Sequence, residues 1–183
     1  MYESSKEINY KQSGISGILD KLDKSTYSRF VDKLQAEASN PAKVFAIAAI
    51  LINPTDERKF LAVKRPPDAR TLPDVWGLPA ITLQPDELPE VVTLRLAKEK
   101  LNTQVEFLGC LGFDSANRGE YELILMDVVA RLVGKEPSVW EAPTKRTKYV
   151  QQQWTSELAL LEEAALKGSV CSSILLRSYC FLY

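Results

Sequence analysis

Histidine is absent from all 183 residues, and its absence excludes Ser-His-Asp and Cys-His catalysis, histidine-ligated metals and the commonest general base at neutral pH. Acid-base chemistry therefore falls to carboxylates, lysine or tyrosine. Cysteine is scarce: Cys110, Cys171 and Cys180 are too few and too widely spaced for a disulfide framework or a zinc site, and an odd number fits a reducing cytoplasm. They read as core residues. No long hydrophobic run is present either. The longest, residues 44–52, is far short of a membrane span and too deep in the chain for a signal peptide, so a cytoplasmic protein without a membrane partner is expected. Neither sign of charge dominates. With 23 basic and 24 acidic residues and a net charge of −1, the chain as a whole has no electrostatic case for binding a nucleic acid polymer, although a small basic pocket is compatible with that balance.

What is present is an ordinary globular balance, 45% hydrophobic and 26% charged, enough for one domain with a real core. Residues 1–12 are polar and expected to be mobile. Ile15, Ile18, Leu19 and Leu22 recur at helical spacing, and Ser25 offers the start of another helix with Phe30, Val31 and Leu34 on its buried face. Asn40-Pro41 ends this arm, which makes residues 1–40 a helical extension and residues 41–183 the main domain with its C-terminal helices. Residues 44–52 form a strand covered on both faces, and residues 60–65 read as its hairpin partner across the Asn53-Pro54-Thr55-Asp56 turn. Residues 105–113 and 121–133 are two further strands separated by a loop at 114–119, and residues 149–154 are another. Thr155-Ser156-Glu157 opens a helix that runs to Leu166 and is stopped by Gly168. Ile174, Leu175, Tyr179 and Leu182 give residues 171–183 a broad apolar helical face for core packing or, second, for a homodimer contact.

The most informative stretch is Trp76-Gly77-Leu78-Pro79, followed at fixed distances by Glu87, Arg95 and Glu99. This spacing resembles a Nudix box: a glycine-rich loop, a glutamate, seven residues, Arg-Glu, and a Glu-Glu pair at the end of a short helix. Glu87, Arg95 and one metal-binding glutamate, Glu99, are in register. Leu96 replaces the glutamate after the arginine, and Lys100 replaces the second of the pair. Ala80 and Ile81 replace two glycines, and Asn102 replaces the closing glycine. Asparagine is the next best residue for a left-handed helix cap. The likeness spans residues 44–154 and implies a Nudix-like α/β/α sandwich with a mixed sheet.

The resemblance also implies site roles. Glu99 would be the catalytic metal ligand, holding Mg2+ or Mn2+ with the substrate and a backbone carbonyl at Ala80. Lys100, four residues after Leu96 and so on the same helix face, could instead hold phosphate in place of metal charge. Magnesium favours several hard oxygen ligands, and here one carboxylate is flanked by leucine and lysine. Lys64 or Arg65 at the end of the preceding strand, with Arg70 on the next loop, would face substrate phosphates; otherwise they are solvated charges. Trp76, Pro79, Glu87 and Arg95 belong to the frame of the box, the last two bracing its loop against its helix. A further family glutamate before a late aromatic corresponds to Gln153; Glu120, Glu122 and Glu141 read first as surface residues, with a relocated site carboxylate as the alternative.

The leading expectation is a Nudix-type hydrolase cleaving the pyrophosphate bond of a nucleoside diphosphate linked to another moiety, with a nucleotide-type small molecule as partner. The alternative is an inactive nucleotide-binding or regulatory domain, favoured by Leu96, Lys100 and Gln153. A third reading makes the helical ends a protein-interaction surface.

Overall fold

The computed structural model describes residues 13–179; the polar segment 1–12, Cys180 and Leu182 lie outside them. In chain order the elements are α1 (Lys24–Glu37), β1 (Lys43–Ile52), β2 (Phe60–Lys64), β3 (Trp76–Gly77), β4 (Ala80–Thr82), α2 (Pro89–Leu101), β5 (Val105–Asn117), β6 (Glu122–Leu132), β7 (Gln151–Thr155), α3 (Glu162–Leu166) and α4 (Val170–Tyr179).

Strand β1 is continuously apolar because its two faces feed two cores. Phe45, Ile47, Ala49 and Leu51 meet Phe30 and Leu34 of α1 and Val92, Leu96 and Leu101 of α2. Ala46, Ala48, Ile50 and Ile52 meet Ile174, Leu175 and Leu176 of α4. The result is an α/β/α sandwich around a mixed sheet, as the sequence pattern and the resemblance led us to expect. Strand β6 runs parallel to β1 from Glu122 opposite Lys43 to Arg131 opposite Ile52, and β5 pairs antiparallel with β6. The helix α1 is a layer of this sandwich: Phe30 packs edge-to-face on Phe45 and Phe113, with centroids 5.8 and 5.7 Å away.

Four local features differ from the sequence expectations. First, β1 and β2 share only the Ile52–Phe60 pair of a hairpin. Beyond it they splay, and residues 76–82 enter the gap: β3 pairs with Val63 and Lys64 of β2, while β4 pairs with Ala46 to Ala48 of β1. Strand β2 pairs along its whole length with β7 instead. Second, residues 15–22 are a turn and a 3-10 segment (Ile18–Lys21) rather than a helix. Gly14 and Gly17 take left-handed backbone angles, and a Cβ on Gly14 would lie 2.0 Å from the Arg58 carbonyl oxygen; this close crossing requires glycine. Third, β5 continues to Asn117, so the expected loop at 114–119 contracts to a turn closed by Arg118 N–H on the Tyr121 carbonyl at 2.8 Å. Fourth, Asp23 rather than Ser25 caps α1, accepting from the Ser25 N–H at 2.9 Å.

Candidate functional site

The box helix α2 is tied to the loop before it by one arginine. Arg95 donates from Nε to Glu87 Oε2 at 2.8 Å and from Nη2 to Glu87 Oε1 at 2.7 Å, a bidentate pair, and Nη2 also donates to the Thr82 carbonyl at 2.8 Å. Glu87 Oε1 accepts from the Gln84 N–H at 2.7 Å. The Arg95 hydrogen bonds hold the Glu87 carboxyl below its ordinary pKa, against the effect of partial burial. The end of β4 is thereby fixed to the second turn of α2. Asn102 ends the helix with φ 49° and ψ 43°, the left-handed cap. Upstream, the Pro79 carbonyl accepts from the Ala49 N–H at 2.9 Å, and Trp76 pairs with Lys64, so the Trp-Gly-Leu-Pro segment is part of the sheet.

The three positions to which the resemblance assigns metal binding are all otherwise engaged. Leu96 is fully buried in the core beneath α2. Glu99, partly exposed, accepts from Arg95 Nη1 at 3.3 Å. Lys100 is only 6% exposed; its Nζ donates to the Thr147 carbonyl at 2.9 Å and lies 5.8 Å from the Tyr149 ring centre. Burial lowers the Lys100 pKa, with Arg65 and Arg146 adding to the effect and Glu99 opposing it. The backbone of Ala80 meets the Tyr149 hydroxyl: its N–H donates to that oxygen at 2.9 Å, and the hydroxyl faces the Ala80 carbonyl at 3.4 Å. Burial pushes the Tyr149 phenol up to about 12, so it remains a neutral donor.

A magnesium or manganese ion does not fit this donor set. Among the described residues no group of three or more potential acidic or sulfur ligands comes together. The one carboxylate present is bound to an arginine, the second family position is a buried ammonium, and the expected carbonyl has a tyrosine hydroxyl beside it. The remaining acids do not repair this. Glu122 pairs with Lys43 at 3.1 Å, Glu141 accepts from Asn102 at 3.3 Å, and neither they, Glu120 nor Gln153 lines the cavity described next.

A cavity of about 850 Å³ opens beside α2. Its walls carry Arg65, Lys100, Arg118, Lys145 and Arg146 against a single carboxylate, Glu99, apart from the braced Arg95. None of those five cations forms an ion pair with a carboxylate among the described residues. Arg65 donates to the Thr71 carbonyl at 2.9 Å, and Arg118 donates to the Gly168 carbonyl at 2.8 Å. Of the other basic residues considered from sequence, Lys64 pairs with Asp74 at 3.2 Å, and neither Lys64 nor Arg70 lines the cavity. Sequence reasoning missed Arg118, Lys145, Arg146 and Tyr149, which come from a turn and an irregular loop. It also missed Asp127, a fully buried carboxyl on β6 whose two oxygens have no hydrogen-bond partner among the described residues.

No family model matches the sequence, and no curated protein matches it. Solved structures do resemble the fold. The MutT protein of Methanosarcina mazei Go1 superposes with a TM-score of 0.53 at 17% identity, over 76% of this chain and 91% of that one. DR0079 from Deinococcus radiodurans gives 0.53 at 18% identity, over 78% and 88%. The MutT NUDIX hydrolase from Burkholderia pseudomallei gives 0.52 at 17%, over 64% and 84%. The chain has a Nudix fold. Within that fold Arg95 holds Glu87 and Asn102 ends α2 in a left-handed conformation, and Leu96 and Lys100 stand where the resemblance implies carboxylates.

Proposed function

We propose that this Nudix-fold protein binds the diphosphate group of a small organic diphosphate without a metal ion, as a binding or regulatory domain. The observation that carries the reading is the cavity in which five cations, none of them paired with a carboxylate among the described residues, face one carboxylate. Such a surplus of positive charge in a partly enclosed site suits a polyanion, whose charge it can neutralise directly. Lys100 is central to it: an ammonium held in place by the Thr147 carbonyl replaces a carboxylate that would have needed a cation between itself and the phosphate. Arg65 and Arg146, the two cations whose charge is felt at Lys100, would share the anion and relieve their mutual repulsion.

Hydrolysis of a pyrophosphate bond is the second reading, supported by the fold and by Glu99 at the in-register position. Calorimetric titration with pyrophosphate, ADP and ADP-ribose, in chelator and in manganese, combined with a product screen, separates the two. The binding reading expects association in chelator, no cleavage, and affinity at least about tenfold weaker in Lys100→Met, since one charge-assisted contact contributes roughly 1.5–3 kcal/mol. Manganese-dependent cleavage that disappears in Glu99→Gln would overturn it in favour of hydrolysis.

A further inference from the structure

The lining of the cavity passes from Glu99 and Lys100 on α2 to Val170 and Cys171 on α4, helices that cover opposite faces of the sheet. At the α4 end its floor is hydrocarbon. Val44 lies opposite Leu123 and Ala46 opposite Leu125 in the parallel β1–β6 pair, and these four side chains share the face that Val170 and Cys171 roof over. Several polar groups nearby are hydrogen-bonded to the protein itself. Ser169 Oγ is 3.1 Å from Ser172 Oγ, accepts from the Ser172 N–H and lies 3.4 Å from Cys171 Sγ. Arg118 Nη2 is on the Gly168 carbonyl, and Tyr121, on the same turn, adds a half-buried phenol. A nucleobase entering such a space loses water from several donors and acceptors at once and finds few replacements. A hydrocarbon chain needs none and gains free energy with each methylene buried.

Resting on the anion-binding reading above, we infer that the ligand is a diphosphate ester of an aliphatic alcohol, of prenyl type. Its diphosphate lies among Arg65, Lys100 and Arg146, and its chain lies between the β1–β6 floor and α4. The test is calorimetric titration of the full chain, in chelator, with three probes: inorganic pyrophosphate, ADP and geranyl diphosphate. The expected result is geranyl diphosphate binding at least about tenfold more tightly than pyrophosphate, as burial of several methylenes requires, with ADP no tighter than pyrophosphate. Leu125→Asp should remove the geranyl advantage and leave pyrophosphate binding in place. Val44→Glu, at the less buried start of β1, makes the same comparison if the first variant fails to fold. Equal affinity for geranyl diphosphate and pyrophosphate, or tightest binding of ADP, would overturn the inference while the anion site stands. Absence of pyrophosphate binding would overturn both.

Discussion

At Asp127, strand β6 places a carboxyl opposite Ala48 on one side and Gly112 on the other, fully buried and without a hydrogen-bond partner among the described residues. Burial raises its pKa well above the ordinary value, with Arg177 opposing weakly, so the folded protein holds a proton there. The unfolded chain releases that proton above the ordinary carboxylate range, about 4. Stability therefore falls as pH rises through that range, by at most about 1.4 kcal/mol per pH unit, until the folded carboxyl itself ionises. Asp127→Asn removes this contribution. Urea unfolding at pH 4.5 and 7 should show the variant gaining on the parent protein as pH rises; an identical slope in both would mean that the carboxyl is ionised and partnered in solution. Lys100 runs the other way: burial lowers its pKa, so pyrophosphate affinity should decline on the alkaline side before the usual lysine range near 10.4. At this scale the Glu87–Arg95 contact was legible through the resemblance of its spacing to a Nudix box. Asp127 was not, since one acid inside the apolar segment 123–130 gives no sign of which face it occupies or what lies across from it.

The box helix is defined by its two ends and by what leans on it. Asn102 ends it in a left-handed conformation, where a β-carbon costs roughly 1–2 kcal/mol, less for asparagine and nothing for glycine. Asn102→Ala should lower stability by about 1 kcal/mol and Asn102→Gly should leave it nearly unchanged, as read by urea midpoints; equal loss in both would place the effect in the Asn102–Glu141 side-chain contact instead. The helix α1 leans on α2 through Tyr27, whose hydroxyl donates to Glu90 Oε1 at 2.5 Å while Glu90 Oε2 is buried without a partner among the described residues. Tyr27→Phe leaves that carboxylate short of a donor and should cost about 1–3 kcal/mol, with near-full recovery in the double variant Tyr27→Phe with Glu90→Leu. The strands were legible from their apolar runs, but their partners were not. Residues 76–82 separate β1 from β2 through contacts between segments far apart in the chain, and nothing in residues 44–65 encodes that wedge. The interruption of residues 15–22 by Gly14 and Gly17 is the opposite case, a local signal outweighed in the reading by apolar spacing.

For the whole molecule, a net charge of −1 conceals a cavity where five cations face one carboxylate, because the basic residues that line it come from β2's end, α2, a turn and the 143–147 loop. Sequence totals average such a site away, so ligand response tests it better than composition. Anything that binds the folded state alone stabilises it, by about 2.7 kcal/mol at a hundredfold excess over Kd, which for a chain of this size is a rise in Tm of about 5–10 °C. Pyrophosphate in chelator should produce a shift of that order. Sodium chloride raised well above about 0.1 M, where the Debye length falls below roughly 10 Å, should diminish it through screening of the exposed Lys145 and Arg146 more than of buried Lys100. Magnesium discriminates between the two functional readings by sign. In a metal-free basic cavity it competes for pyrophosphate in solution and reduces the shift; in a site that gathers the ion between Glu99 and the phosphates it enlarges the shift. A larger rise in Tm with magnesium and pyrophosphate together than with pyrophosphate alone would therefore restore the hydrolase reading even before any product is found.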